Sequence, residues 1–549
     1  MNGITGLDKS ARSVLDRNMA GEATTGLFLD LIKQANEKTA PPGKSHRKRR
    51  HHRRPSWQHA LLLLPILGAQ TALALRLVWS NTPFTDEALY LWAGHLEIMH
   101  LLHGSAVPEF SSSFSGAPVI YPVLGATADT LGGLAGARIL SLCFMLGATI
   151  LLWTTTRRLY GELAAFFAAA SWAVIAPTLH LSAFATYDAM ALFLIALAAW
   201  LATARRADDD ATRWMVAAGV TLALANATAY STAIIDPIIV LLAIFSAWPE
   251  PGGKAALRRG ALISVTVFTA GYGSLWLAGG YYQGGFDLTV LNRVTGTQKS
   301  SLILWEAFQW TGAIVIIAIA GVLLATARRR DRHNMWLLGI CASAAILVPI
   351  EQARIHTDTS LDKHVDIGAW FVAIAVGYAT SKLITTGRPY IIRISVSTIA
   401  LTGVAVLAVA SLPQARQIYA WPNDTSYVAT LKPIVARTHG PLMIESEAIL
   451  ASQVPAGYDW QRWSDTYAAT LPSGKTMGYA AGKANTQGDP AVFEALIRQQ
   501  YFSLIAISYA PISFNEVILA YLKHDHHYHL IATARYGSLT IPIWKRVSS

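Results

Sequence analysis

The chain has 549 residues, of which 53% are apolar and only 14% charged; a soluble protein carries about a quarter charged residues, so a string of ordinary soluble domains is excluded. The formal net charge of +11 does not describe a nucleic-acid surface either. Much of it sits in Lys44, Arg47, Lys48, Arg49, Arg50, Arg53 and Arg54, directly before the first apolar run, where basic residues hold a tail on the cytoplasmic side.

In chain order, residues 1–55 form a basic cytoplasmic tail, predicted to be mostly disordered, that also suits anionic lipid headgroups. Residues 56–412 form the expected transmembrane domain. Its apolar runs are 57–79, 138–156, 163–181, 189–203, 214–229, 232–248, 261–280, 303–327, 336–350, 367–383 and 391–412. With about 20 residues per ideal span, these predict about eleven transmembrane helices. If the N-terminus is inside, every inner loop carries its basic group. These are Arg157 and Arg158; Arg205, Arg206 and Arg213; Lys254, Arg258 and Arg259; Arg328, Arg329, Arg330 and Arg332; Lys382 and Arg388. An odd number of spans then puts residues 413–549 on the extracytoplasmic side of the plasma membrane. β-like runs at 442–445, 503–508, 529–534 and 539–544, with helical stretches at 491–500 and 515–524, predict a small α/β domain there. Cys143 and Cys341 lie in apolar runs without metal-ligand spacing and are expected to be small packing residues.

The first outer loop, 80–137, is long and opens on Pro83-Phe84-Thr85-Asp86-Glu87-Ala88-Leu89-Tyr90. Leu89, Trp92, Leu96 and Met99 follow at helical spacing, which predicts an amphipathic helix lying in the membrane interface. Its two adjacent acids either meet a lipid-borne substrate or simply complement a helix N-terminus. Thr186-Tyr187-Asp188 enters the fourth span. An acid at that place is costly against lipid and belongs at a cavity, a partner or a helix cap. The loop 352–364 is dense in ionisable groups, among them Arg354, His356, Lys363 and His364, which together could form an anion site or stand in a solvated loop.

Thr85-Asp86-Glu87-Ala88, Gly136-Ala137-Arg138-Ile139-Leu140-Ser141 entering the second span, and Thr186-Tyr187-Asp188 entering the fourth resemble the motifs of the GT-C membrane glycosyltransferases. The branch they resemble is that of the protein O-mannosyltransferases and aminoarabinose transferases, glycosyltransferase family 39 and its relatives. The resemblance implies an α-helical polytopic membrane protein that moves a hexose or pentose from a polyprenyl-phosphate donor to an acceptor at the outer face, with inversion. It implies Asp86 as general base with Glu87 as support or substitute, Asp188 in the second acidic position organising the acceptor or the first loop, Tyr187 beside it as a substrate-binding residue, and Arg138 approaching the carrier phosphate or merely snorkelling. No cofactor is implied, a divalent metal is left open, and the acceptor (glycan, lipid or protein) is not specified. A carboxylate base is needed because an acceptor hydroxyl is a poor nucleophile at neutral pH, and cations are needed because the departing phosphate gains charge. The rival reading is a transporter or flippase of lipid-linked glycans, which would share the spans and need no base.

Overall fold

The computed structural model describes residues 61–547 apart from 205–207, 250–251, 294, 328–331, 386–388, 474–475, 478–487 and 509–512. The basic tail and Arg205, Arg206, Arg328, Arg329, Arg330 and Arg388 lie outside the described residues.

Every apolar run carries a helix. In order these are α1 (Leu63–Val78), α2 (Thr85–His103), α3 (Tyr121–Tyr160), α4 (Glu162–Trp172), α5 (Ala176–Leu181), α6 (Tyr187–Ala202), α7 (Asp208–Thr228), α8 (Asp236–Ala247) and α9 (Gly253–Ala278). A short α10 (Gly280–Phe286) precedes α11 (Ser300–Thr326), α12 (Arg332–Arg354), α13 (Leu361–Thr385) and α14 (Tyr390–Ile418). Among the described residues, seven helices are long and apolar enough to cross a membrane, and α1, α4 and α6 are shorter apolar helices. The protein is an integral membrane protein of mostly helical build with a small C-terminal sheet.

Two runs depart from single straight spans. Residues 163–181 divide into α4 and α5, with Pro177 in the first turn of α5, where a missing N–H leaves no unmet hydrogen bond. Helical structure begins inside the loop predicted before the second span. α3 starts at Tyr121 and kinks at Gly132 and Gly133, and Gly133 has a φ of 61°, which a side chain would resist.

Packing explains the order of burial. α13 is buried along most of its length, whereas α9 and α14 expose most of theirs. Leu257, Val265, Phe268 and Trp276 on α9 are exposed apolar residues facing where lipid tails would lie. α13 reaches its neighbours through small residues, as membrane helices must when hydrophobicity alone does not draw them together. A Cβ on Gly377 would lie 2.2 Å from the carbonyl oxygen of Ala164 in α4. Gly377→Leu is therefore expected to cost about 1–3 kcal/mol of stability, visible as a lower thermal unfolding temperature in detergent. Cys341 is buried as expected, and Cys143 instead stands on an exposed face of α3.

The C-terminal residues form α15 (Thr425–Ala436), β1 (Leu442–Ile444), α16 (Glu447–Ala451), β2 (Trp463–Ser464), β3 (Ala469–Thr470), β4 (Thr476–Met477), α17 (Pro490–Arg498), β5 (Leu504–Ala506), α18 (Ser513–His524), β6 (Tyr528–Tyr536) and β7 (Leu539–Arg546). Five strands join in the order β2-β1-β5-β7-β6, while β3 and β4 pair separately. β1 runs parallel to β2 and β5, and β7 runs antiparallel to β5 and β6. Phe493, Phe502, Phe514, Ile518 and Leu522 fill the core between this sheet and its helices.

This C-terminal unit sits on α2, which changes the reading of that helix. Trp92 and Leu96, two members of the apolar stripe, are buried in protein. The Trp92 indole donates to the Gly457 carbonyl at 2.9 Å, and the Trp460 indole donates to the Ala106 carbonyl at 2.8 Å. An interfacial helix facing lipid was expected, and the stripe faces the C-terminal unit instead. Helical period reports that a face is covered without reporting what covers it. Leu101 and Leu102, at the end of α2, are the exposed apolar pair.

Candidate active site

The N-termini of α2, α6 and α13 converge, and each delivers one charged side chain. Asp86 stands in the first turn of α2, Asp188 in the first turn of α6, and Lys363 in the first turn of α13. Lys363 Nζ donates to Asp86 Oδ2 at 3.0 Å and lies 3.6 Å from Asp188 Oδ2. Its ammonium thus supplies the positive charge between two carboxylates that would otherwise repel one another. His364 approaches the other oxygen of Asp188, with Nε2 3.8 Å from Oδ1, and its Nδ1 lies 3.3 Å from the Gln352 side-chain amide. The Thr186 hydroxyl donates to Asp188 Oδ2 at 2.8 Å. Tyr187 packs against Tyr90, one helical turn beyond Asp86, with ring centroids 4.9 Å apart.

The two acids of the Asp86-Glu87 pair have different surroundings. The Asp86 side chain is 36% exposed, and its Oδ1 accepts no hydrogen bond among the described residues. Glu87 is fully buried. Glu87 accepts from Arg138 Nε at 2.8 Å and from Arg138 Nη2 at 2.7 Å in a two-pronged pair. Backbone N–H groups of Ala185 and Phe84 complete its shell at 2.8 and 2.9 Å. The bond to Phe84 is a reach from the third helical position to the residue before the helix, which anchors the start of α2. The helical stagger of 100° per residue is what sends these neighbours to opposite environments.

Arg138 is saturated by the same arrangement. Beyond Glu87, its Nη1 donates to the carbonyls of Val78 and Asn81, each at 2.8 Å, and its Nη2 donates to that of Thr82 at 3.1 Å. All five guanidinium donors are used, and Tyr419 and Trp421 close over the group. An approach to a carrier phosphate, or snorkelling at the interface, does not match this geometry. Arg138 instead ties the end of α1, the start of α2 and the end of α14 into one joint.

The polar loop divides between site and surface. Lys363 and His364 join the carboxylates. Arg354 is exposed and pairs with Glu351 at 2.5 Å, while exposed His356 bonds the Gln298 carbonyl at 3.0 Å. Neither reaches the Asp86 cluster. Leu361 starts α13, so helical geometry carries residues 363 and 364 inward, while Arg354 ends α12 and His356 lies on the connecting turn. Residues missed as neighbours of the site include Tyr90, Gln352 and Asp362, whose Oδ2 lies 3.2 Å from His180 Nε2. Tyr90 was findable as the residue four positions beyond Asp86 on a helix. Gln352 carried no such signal.

Among the described residues, no group of three or more His, Cys, Asp or Glu side chains could hold a metal ion. Arg157, Arg158, Arg259 and Lys382 all gather at the opposite ends of their helices from the Asp86 cluster. There Arg158 bonds the Trp200 carbonyl at 2.6 Å and Arg259 the Ala204 carbonyl at 3.2 Å.

This fold is similar to that of membrane glycosyltransferases of known structure. The family described as dolichyl-phosphate-mannose-protein mannosyltransferase matches residues 130–270, a stretch that contains Arg138 and Asp188 but not Asp86 or Lys363. Among solved structures, ArnT from Cupriavidus metallidurans bound to undecaprenyl phosphate is similar with a TM-score of 0.56 at 14% identity, over 89% of this chain and 98% of that one. The Archaeoglobus fulgidus oligosaccharyltransferase in complex with Zn and sulfate gives 0.53 at 15% identity, over 81% and 67%. The arabinofuranosyltransferase AftD from Mycobacteria gives 0.52 at 12%, over 90% and 40%. No curated protein matches the chain. The chain is similar to GT-C glycosyltransferases, and its likeness to the family 39 kind holds both in the matched stretch and across the fold.

Proposed function

We propose that this protein is a glycosyltransferase that moves a sugar from a polyprenyl-phosphate donor to an acceptor hydroxyl, with inversion at the anomeric carbon. The observation that carries this reading is Lys363 held between Asp86 and Asp188, with one oxygen of Asp86 left open. Asp86 takes the proton of the acceptor hydroxyl as that oxygen attacks the anomeric carbon. The bond from that carbon to the phosphate oxygen breaks, and its electron pair leaves on the polyprenyl phosphate. Charge builds on the phosphate as it departs, and a cation already positioned there needs no reorganisation to stabilise it. Lys363 serves this purpose, since its ammonium has three donors and gives only one to Asp86. His364 lies beside it. Asp188 orients Lys363, and Tyr187 lines the acceptor side. Arg354 and His356 have no part in this scheme, and Arg138 with Glu87 fixes the geometry of the α2 start.

The donor class is supported by the fold's similarity to ArnT, whose structure was solved with undecaprenyl phosphate bound. The acceptor site lies on the extracytoplasmic face of the plasma membrane in this reading, because the basic residues mark the opposite end as cytoplasmic. The C-terminal unit, residues 413–549, is then an extracytoplasmic domain covering the first outer loop.

The test is transfer from a panel of radiolabelled polyprenyl-phosphate monosaccharides by purified protein in lipid. Lys363→Met is expected to lower turnover about a hundred- to a thousand-fold, the loss typical of removing one preset donor. Labelled donor that crosses the bilayer without ever being consumed would instead establish the transport reading.

A further inference from the structure

A cavity lies between α2, the segment after it, and the C-terminal unit. Its volume is about 100 Å³. Trp92, Phe110, Trp460 and Trp463 line it together with Glu447 and Asp465. The indole nitrogens of Trp92 and Trp460 are already committed to backbone carbonyls. What these residues offer a ligand is therefore ring surface. Asp465 spends Oδ1 on the N–H groups of Tyr467 and Ala468, at 2.7 and 2.9 Å. Glu447 makes no hydrogen bond to another residue among the described residues.

That combination has a specific chemistry. Aromatic faces with nothing but carbon to present match the C–H face of a sugar ring. Carboxyl groups at their edge match its hydroxyls, as both donors and acceptors. Burial pushes the Glu447 carboxyl well above the usual range and the Asp465 charge adds to it, while burial raises Asp465 to about 6. Both shifts favour the protonated form, in which a carboxyl can donate as well as accept. Among the described residues, no lysine or arginine lines the cavity.

Position links this cavity to the candidate active site. Leu89 and Trp92 line it from α2; Leu89 lies three residues beyond Asp86, about 60° around the helix, and Trp92 one turn further, about 9 Å along the axis from Asp86. That separation is comparable to the length of a disaccharide. We propose that the cavity between α2 and the C-terminal unit is a saccharide subsite, which holds a ring of a glycan acceptor while a hydroxyl of its neighbouring unit reaches Asp86. The acceptor is accordingly a glycan, recognised beyond the sugar that reacts. The assignment of the reacting end rests on the glycosyltransferase reading; the binding of sugar in the cavity does not.

The experiment is binding of neutral disaccharides of glucose, mannose, galactose and arabinose to the full-length protein in lipid nanodiscs. It is read by tryptophan fluorescence and by saturation-transfer NMR. At least one disaccharide is expected to quench saturably. Trp460→Ala and Glu447→Ala are each expected to weaken that binding roughly tenfold, about 1.4 kcal/mol. Trp460→Phe should retain it, which separates loss of the ring from loss of the fold. Absence of binding across the panel overturns the proposal, as does binding that both cavity variants leave unchanged. Sugar binding in a protein that transfers nothing would remove the enzyme reading and keep the subsite. Transfer to an acceptor without sugar, at full rate in Trp460→Ala, would remove the subsite and keep the enzyme.

Discussion

Asp86→Asn is expected to lower sugar transfer about a hundred- to ten-thousand-fold, the range over which a positioned general base contributes. The variant should fold, because the Asp86 side chain is 36% exposed and its only hydrogen bond among the described residues is the one from Lys363. An amide keeps the shape and accepts from Lys363 but cannot take a proton. Donor binding should therefore persist while turnover falls, so the loss appears in kcat rather than in KM for the donor. The measurement is initial-rate transfer by matched amounts of folded wild type and variant in lipid. Transfer by the Asn variant within a few-fold of wild type would remove Asp86 from the mechanism. Glu87 could not replace it, since both its oxygens are occupied by Arg138 and backbone N–H groups.

Arg138→Met is expected to damage the fold rather than the chemistry. It leaves the Glu87 carboxylate fully buried without its partner, and breaking a buried pair in this way costs about 3–5 kcal/mol. Three carbonyls, those of Val78, Asn81 and Thr82, lose their donor as well. Arg138→Lys should recover only part of this, because an ammonium has three donors where the guanidinium uses five. Removing both charges, with Glu87→Met added to Arg138→Met, should restore some stability relative to either single change. Thermal unfolding and the yield of monodisperse protein in detergent report the result. A well-folded Arg138→Met protein with a raised KM for the donor would overturn this and return Arg138 to the phosphate.

The two outcomes separate neighbours in sequence by function. Asp86 and Glu87 are adjacent, yet Asp86→Asn should spare the fold while removal of Arg138, the partner of Glu87, should not. That contrast is the sharpest available test of the arrangement at the start of α2.

Much of the architecture follows from sequence alone. Long uncharged runs leave a membrane as the only solvent that suits them, so the helices and their approximate bounds could be placed by counting. The strands of the C-terminal sheet at 442–444, 504–506, 528–536 and 539–546 also fell where short β-rich runs lay. The short strands at Trp463–Ser464 and Ala469–Thr470 did not, because two residues carry no period to detect. Asp86 and Asp188 stood out because an acid at the mouth of an apolar helix demands a reason.

What the sequence could not supply is partnership across the chain. Lys363 meets Asp86 over a separation of 277 residues, and no local pattern distinguishes Lys363 from Arg354 in the same polar loop. Only the convergence of the α2, α6 and α13 ends decides that Lys363 and His364 enter the site while Arg354 and His356 do not. The same holds for Glu87 and Arg138, which share a motif-like setting with the candidate site residues yet are spent on each other. Hydrophobic period reports whether a face is covered, and charge reports that a partner is required. Which residue answers that requirement is set by how the helices pack, and tertiary structure alone decides it.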